Sequence, residues 1–360
     1  MRKHKFIVLS GLLITILTAS FLFSLVNHRS ISQMKKDPEN LPVTKTFLKF
    51  DTVITIKLFG DKDADKHLQE IDQLLDRIDG QINMYNMQSV INQVNASAGK
   101  KAVTVPDETF RLVKKSMEYA HDTEGAFNPA IGALVKLWGI GNGGEHPPAE
   151  HLIEQAKSLS QYSDIELNEN KSSIKLVKSG MSIDLGAIGK GYAADLIADY
   201  LRGEKVESAL IDLGGSSITT IGSKPGGADW HIGIQEPDQL RGEDIGTIPL
   251  KNNTISTSGV YERYFVFDGI RYHHILDSKT GVPTRNGILS VTIIGGTAAA
   301  GDALTTAAIV KGLKEGISYL EKKTDTEGIF ITEDKKIYIT SGLHGKFKLT
   351  NPNYTLATLN

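Results

Sequence analysis

The spacing of apolar residues changes period several times along the chain, and each change marks an element. Between Thr46 and Phe59 apolar side chains alternate through Phe50, Val53, Ile54, Ile56 and Leu58, which predicts a strand. From His67 to Ile82 they recur at three- and four-residue steps (Leu68, Ile71, Leu75, Ile78, Ile82) and predict an amphipathic helix with an acidic outer face. Further helices are predicted over Asp107–Ala120, Pro148–Leu159, Ile188–Leu201 and Ala298–Val310. Short strands are predicted over Ile165–Leu167, Ile174–Val177, Met181–Leu185, Ala209–Leu213, Trp230–Gln235, Tyr264–Phe267, Arg271–Asp277, Ile288–Ile294, Ile329–Thr332 and Lys336–Thr340. Asp268-Gly269 is a hairpin signal between two of these strands. Hairpins mixed with helices, without a regular strand–helix alternation, predict an α+β fold with mixed and antiparallel sheets and packed helices.

One stretch breaks this pattern. After the basic residues 1–5, the 21 residues from Phe6 to Val26 carry no charge and are mostly apolar. A bilayer core is crossed by about 20 residues, so the span reads as an uncleaved membrane anchor, with a cleaved signal peptide as the competing reading. The basic residues ahead of the span favour a cytoplasmic N-terminus, with the remainder on the extracytoplasmic side of the cell membrane. Residues 27–45 are polar, contain Pro38 and Pro42, and read as a tether.

Composition narrows the chemistry. The chain has 360 residues, 40% of them hydrophobic, a net charge of −2 and no cysteine. Disulfides, thiolate metal sites and cysteine nucleophiles are excluded, and the charge balance carries no nucleic-acid footprint.

Four stretches carry candidate chemistry. In "DLGAIGKGYAAD" (184–195) three glycines and Lys190 lie where a strand gives way to a helix. Free N–H groups there suit an anion, and the alternative is a glycine-rich turn required by packing. In "AGDALTTAAIV" (300–310) Asp302 and Thr306 share a helix face. They offer hard oxygen ligands suited to Mg²⁺, or Asp302 serves as a cap. "YHHILDSKTGVPT" (272–284) carries His274 and Leu276 on one predicted strand face and His273 on the other, with Asp277 at the turn. His274 reads as a general base or acid, a ligand contact, or a satisfied histidine within a sheet. "GAFNPAIGALVKLWG" (125–139) supplies Phe127 and Trp138 as a ring-binding wall or as core.

Taken together and in order, "FNPAIGALVKLWG", "DLGAIGKGYAAD", "LIDLGGS", "STSGVYERYF", "YHHILDSKTGVP" and "GDALTTAA" resemble the FAD:protein FMN transferase (ApbE) family over roughly Thr46 to Leu349. The resemblance implies a flavin transferase domain over residues 46–352. Its members cleave FAD at the pyrophosphate with Mg²⁺, pass FMN to a threonine or serine of an acceptor protein, and release AMP. It implies metal ligation by Asp302, Thr306 and the Ala187 carbonyl. It implies flavin-nucleotide contacts from Phe50, Tyr85, Ala126, Phe127, Asn128, Asp184, Lys190, His274 and Leu276. His274 would act as the base, with Asp277 orienting it or shaping the turn. Phe50 stands where the family often has methionine before a Gly-Thr pair, which here reads Asp51-Thr52, and Ser278 replaces the usual proline after Asp277. Implied partners are FAD and an acceptor protein with an FMN-binding domain. Hydrolysis of FAD to FMN and AMP at the same residues, or flavin binding without turnover, are the competing readings.

Overall fold

A computed structural model describes residues 41–237 and 239–359. The apolar span 6–26 and most of the expected tether lie outside the described residues. No helix among the described residues is long and apolar enough to cross a membrane.

A nine-stranded sheet organises the described chain. Its strands are β1 (Val43–Lys49), β2 (Thr52–Leu58), β3 (Ala209–Leu213), β4 (Ser217–Ile221), β5 (Thr254–Gly259), β6 (Ile288–Gly295), β7 (Thr326–Thr332), β8 (Lys336–Ile339) and β9 (Thr355–Leu356). Spatial order follows chain order, and every neighbouring pair is antiparallel except β8–β9. The single strand expected over Thr46–Phe59 is instead the β1–β2 hairpin. Phe50 and Asp51 turn the chain with φ of 53° and 54°, the left-handed pair that a two-residue hairpin needs. Alternation had concealed this, because both hairpin arms keep the same inward face.

Among the described residues, eight α-helices pack with the sheets. They are α1 (Ala64–Ile82), α2 (Val90–Ala96), α3 (Asp107–Asp122), α4 (Gly132–Trp138), α5 (Glu150–Ser158), α6 (Gly189–Gly203), α7 (Ala298–Lys311) and α8 (Leu313–Leu320). Of these, α1, α6, α7 and α8 cover one face of the nine-stranded sheet. The α1 residues named from periodicity, Leu68, Ile71, Leu75, Ile78 and Ile82, are all buried in the largest core cluster. The opposite face of the sheet is closed by a small sheet formed by Trp230–Gln235, Asp244–Leu250 and Lys348–Leu349.

Helix α7 differs from α1. It is apolar nearly all round and packs between β5, β6 and α6, as expected of a helix with no solvent face. Its small residues permit close approach. A Cβ placed on Gly191 of α6 would lie 2.1 Å from the Ala298 carbonyl oxygen. The first turn of α7 is capped twice: Thr297 Oγ1 accepts from Ala300 N at 3.1 Å, and the Asp195 carboxylate accepts from Ala298 N and Ala299 N at 2.8 and 2.9 Å. Asp195 thus ties the two helices that flank the candidate site. Asp195→Ala strands two donors, and its expected cost is about 1–3 kcal/mol of stability, read as a lowered urea midpoint at unchanged m-value.

Two further expectations are corrected. Met181–Leu185 forms no ladder, only an isolated bridge between Ile131 and Ser182. Its backbone is satisfied otherwise: the Asn95 side chain accepts from Ile183 N at 2.7 Å and donates to Ile183 O at 3.0 Å. The strand expected over Arg271–Asp277 splits into Ile270–His273 and Leu276–Asp277. The break falls after His274, whose N–H still follows the hairpin register by donating to Arg263 O at 3.0 Å, whereas Ile275 O accepts from Thr284 N at 3.1 Å.

Candidate active site

One cleft of about 430 Å³ opens where the β1–β2 turn, the β3–β4 turn, the start of α6, helix α7 and the 274–276 break converge. Its size falls within the usual range of roughly 300–1,000 Å³ for small-molecule sites. Twelve of the thirteen site residues implied by the family resemblance line it: Phe50, Tyr85, Ala126, Phe127, Asn128, Asp184, Ala187, Lys190, His274, Leu276, Asp302 and Thr306.

The thirteenth, Asp277, sits elsewhere. Its carboxylate accepts from Lys279 N at 2.8 Å and its carbonyl from Gly281 N at 2.7 Å, which builds the turn. It lines a separate shallow hollow beside Trp138 and Val282. Of the two roles considered for Asp277, this geometry is that of turn-shaping. Trp138 is core as well. It is 2% exposed, donates to Gly281 O at 2.8 Å, and stacks with Phe265 and Tyr272 at centroid distances of 6.4 and 5.7 Å.

His273 and His274 are not equivalent. His273 is buried, donates from Nε2 to Thr284 O at 2.7 Å, and accepts at Nδ1 from Ile275 N at 3.3 Å. Both ring nitrogens are thereby committed to holding the turn. His274 faces the cleft, with Nδ1 3.2 Å from Arg263 O. A carbonyl oxygen can only accept, so Nδ1 carries the proton and Nε2 is left with the lone pair. Burial, reinforced by the Arg263 charge, holds the imidazole down to about 3, so it is neutral at physiological pH.

The metal-type donors also meet. Asp302 Oδ2 accepts from Gly191 N at 2.6 Å, and Oδ1 accepts from Ser217 Oγ. Each oxygen retains a second lone pair. Burial pushes the Asp302 carboxyl up, countered in part by the Lys190 charge. Thr306 Oγ1 lies one helical turn away, donating to Asp302 O at 3.4 Å. Among the described residues no cluster of three or more histidines and carboxylates could hold a metal. The donor set is instead one carboxylate, one hydroxyl and the Ala187 carbonyl, all hard oxygens, and it fits Mg²⁺ completed by water or phosphate oxygens. A buried carboxylate raised by desolvation is also the group a cation would return to its ionised form.

The anion-facing wall is built by two turns. Lys190 Nζ donates to Ser216 Oγ, and burial pushes its ammonium down. Ser216 is presented by the β3–β4 turn, where Gly214 and Gly215 take φ of 75° and 71°. A Cβ on Gly214 would lie 2.1 Å from Thr52 Oγ1, so this turn and the β1–β2 turn can approach only through glycine. Asp184 accepts from Gly186 N at 2.8 Å, and burial raises its carboxyl. Asn128 is spent on structure, donating to Ser160 O and accepting from Ala130 N, both at 2.8 Å.

The sequence reading missed several cleft residues. Arg241, Glu262, Arg263 and Asn142 all line it. Glu262 and Arg263 lie inside the quoted "STSGVYERYF", so a signal was present but no chemistry had been attached to it. Arg241 arrives from the loop joining the first two strands of the small sheet, donates to Gly214 O, and pairs with Glu262 at 3.1 Å. No local pattern announces it.

Fold and cleft define an α+β protein with a nucleotide-sized site that has an apolar wall, a cationic wall and a hard-oxygen donor set. Comparison with known proteins gives this class a family. Residues 50–330 match the ApbE family model, and the chain belongs to that family. It is 36% identical over 301 residues to the FAD:protein FMN transferase of Klebsiella pneumoniae (strain 342), covering 84% of this chain and 92% of that protein. It is 32% identical over 302 residues to the FAD:protein FMN transferase of Treponema pallidum (strain Nichols), covering 80% and 83%. Among solved structures, the ApbE protein of Thermotoga maritima superposes with a TM-score of 0.78 at 30% identity, covering 85% of this chain and 99% of that one. Flavin transferase ApbE from Vibrio cholerae gives 0.75 at 27% identity, with coverage of 85% and 99%.

Proposed function

We propose that this chain is a Mg²⁺-dependent FAD:protein FMN transferase that attaches FMN through a phosphoester bond to a threonine or serine of an acceptor flavoprotein. The observation carrying this reading is that an imidazole, a buried carboxylate with a half-buried hydroxyl one helical turn on, and a half-buried lysine, from distant parts of the sequence, share one cleft with Phe50 and Tyr85. Family membership and the names of the relatives support the same reading.

The chemistry follows from the donors. The acceptor hydroxyl oxygen forms a bond to the FMN phosphorus and the bond from that phosphorus to the bridging oxygen breaks. AMP departs with the electron pair. The hydroxyl proton passes to Nε2 of His274, the nitrogen that carries the lone pair. Lys190 holds phosphate oxygens, and the N–H groups at the start of α6 add a partial positive charge. Asp302, Thr306 and the Ala187 carbonyl would hold Mg²⁺, which would supply charge neutralisation on the pyrophosphate. Phe50, Tyr85 and Leu276 offer contact surface for the flavin.

The test uses the soluble part with FAD, Mg²⁺ and an acceptor carrying an FMN-binding domain, and weighs the acceptor by mass spectrometry. A gain of one FMN mass is expected. AMP release at the same rate without acceptor, and no mass gain with it, would instead identify a FAD pyrophosphatase.

Residues 6–26 we assign as a single membrane anchor, with the catalytic domain on the extracytoplasmic side. The basic residues before an uncharged 21-residue span support it. Protease added to intact cells is expected to degrade a reporter fused after residue 360, and a protected reporter rules the orientation out.

A further inference from the structure

Arg263 lines the cleft without a partner for its charge among the described residues. Its backbone is already employed, since the carbonyl oxygen accepts both His274 N and His274 Nδ1. Its side chain is free in a way that Arg241 is not. Arg241 is neutralised by Glu262 and bonded to Gly214 O. Among the described residues, the Arg263 guanidinium makes neither an ion pair nor a hydrogen bond. Its charge is nevertheless felt at Asp184, Lys190 and His274.

The stem of Arg263 is seated. A Cβ added to Gly141 would stand 3.1 Å from Arg263 Cδ and 3.6 Å from Cγ, and Gly141 has φ of 81°. The loop that follows α4 is thus shaped to receive this side chain. A fixed stem, a head without a counterion and a position inside the cleft are what a guanidinium needs to grip an oxyanion, and its planar fork matches phosphate geometry.

We propose that Arg263 is a catalytic residue that binds the diphosphate of the dinucleotide substrate and forms a two-cation clamp with Lys190. The assignment rests on the transferase reading above. As the bond to the bridging oxygen breaks, negative charge builds on the departing AMP phosphate, and a guanidinium on the diphosphate offsets it. The clamp selects for a diphosphate-bearing flavin over flavins that lack one.

The test compares Arg263→Ala and Arg263→Lys with wild type. Flavin fluorescence gives the Kd for FAD and for riboflavin, which has no phosphate, and single-turnover transfer to the acceptor is measured in parallel. For Arg263→Ala, FAD affinity should fall about 10- to 100-fold, the range of charge-assisted hydrogen bonds. Riboflavin affinity should not change, and kcat should fall beyond the effect on KM. Arg263→Lys should recover part of the FAD affinity, and added guanidinium ion should restore turnover to the alanine variant. If FAD and riboflavin affinities fall together in Arg263→Lys, the residue is structural and the proposal is wrong. Unchanged FAD affinity and turnover in either folded variant overturn it equally. If wild type transfers no FMN while the FAD-selective loss persists, the phosphate clamp stands and the transferase reading falls.

Discussion

His274→Ala should still bind FAD and Mg²⁺ yet transfer FMN about 10²–10⁴-fold more slowly, the usual contribution of a positioned base. His273→Ala should behave in the opposite way. Its two ring nitrogens hold Thr284 O and Ile275 N, so the loss should appear in thermal stability, with turnover retained once the protein is folded. Single-turnover transfer and thermal melts on both variants separate the two roles, and equal losses of transfer would remove His274 from the mechanism.

The pH dependence is equally specific. A free imidazole titrates near ~6.5 and would give a rate rising through neutrality. Here burial and Arg263 hold the ring down to about 3, so the base is already deprotonated at pH 5. The His274-dependent part of kcat/KM in the free enzyme should therefore be flat from pH 5 to 8. The sign for stability is fixed by the same shift. Between about 3 and about 6.5 the unfolded chain binds a proton that the folded chain refuses. This contribution is complete above the unfolded pKa and is lost as pH falls toward the folded one. His274→Ala should lose that slope.

The second large effect is at Asp302. Asp302→Asn keeps an acceptor oxygen for Gly191 N or Ser217 Oγ but removes the charge. It should fold, and transfer should drop about 10³-fold or more, since a metal's neutralisation of phosphate is worth several kcal/mol. Asp302→Ala should add an unfolding penalty of about 1–3 kcal/mol, because it strands buried donors. Thr306→Ala loses only a neutral ligand, so raising Mg²⁺ should recover much of its activity. Mg²⁺ should raise the melting temperature of wild type but not of Asp302→Asn. Near-normal transfer by Asp302→Asn at low Mg²⁺ would end the metal assignment.

Periodicity and motif order made much of this molecule readable. The face of α1, the Ala209–Leu213 and Trp230–Gln235 strands and the α7 pair of Asp302 and Thr306 are local facts, and the structure has them as expected. What escaped was non-local. The β1–β2 turn was hidden because Phe50 and Asp51, without a glycine, adopt left-handed backbone. A glycine would take the φ of 54° at Asp51 without cost, and aspartate tolerates it. The break after His274 was hidden because the new partner that Ile275 O takes, Thr284 N, is set by the turn and not by the alternation. Arg241 was missed because a cleft, not a sequence spacing, brings it to the site, and Arg263 because its motif had been given no chemistry. Asp277 was placed with His274 on proximity alone, but its carboxylate is taken by its own turn.

The order of the sheet has a consequence for how the chain reaches this state. β2 ends at Leu58, and the strand that pairs with it begins at Ala209. Between them lie helices, a three-stranded sheet of Val103–Thr104, Ile165–Asn168 and Ser173–Leu176, and part of the cleft wall. During synthesis, the β2 edge of the hairpin therefore stays unpaired until the far partner has emerged. Closing so long a loop is entropically costly before any contact rewards it, and pairings of this kind fold slowly. The turns at Phe50 and Gly214, which both line the cleft, face each other across that same late junction. Acquisition of the site is thus coupled to the slowest pairing in the sheet, and a truncated or stalled chain exposes a sticky edge before it has any capacity to bind a nucleotide.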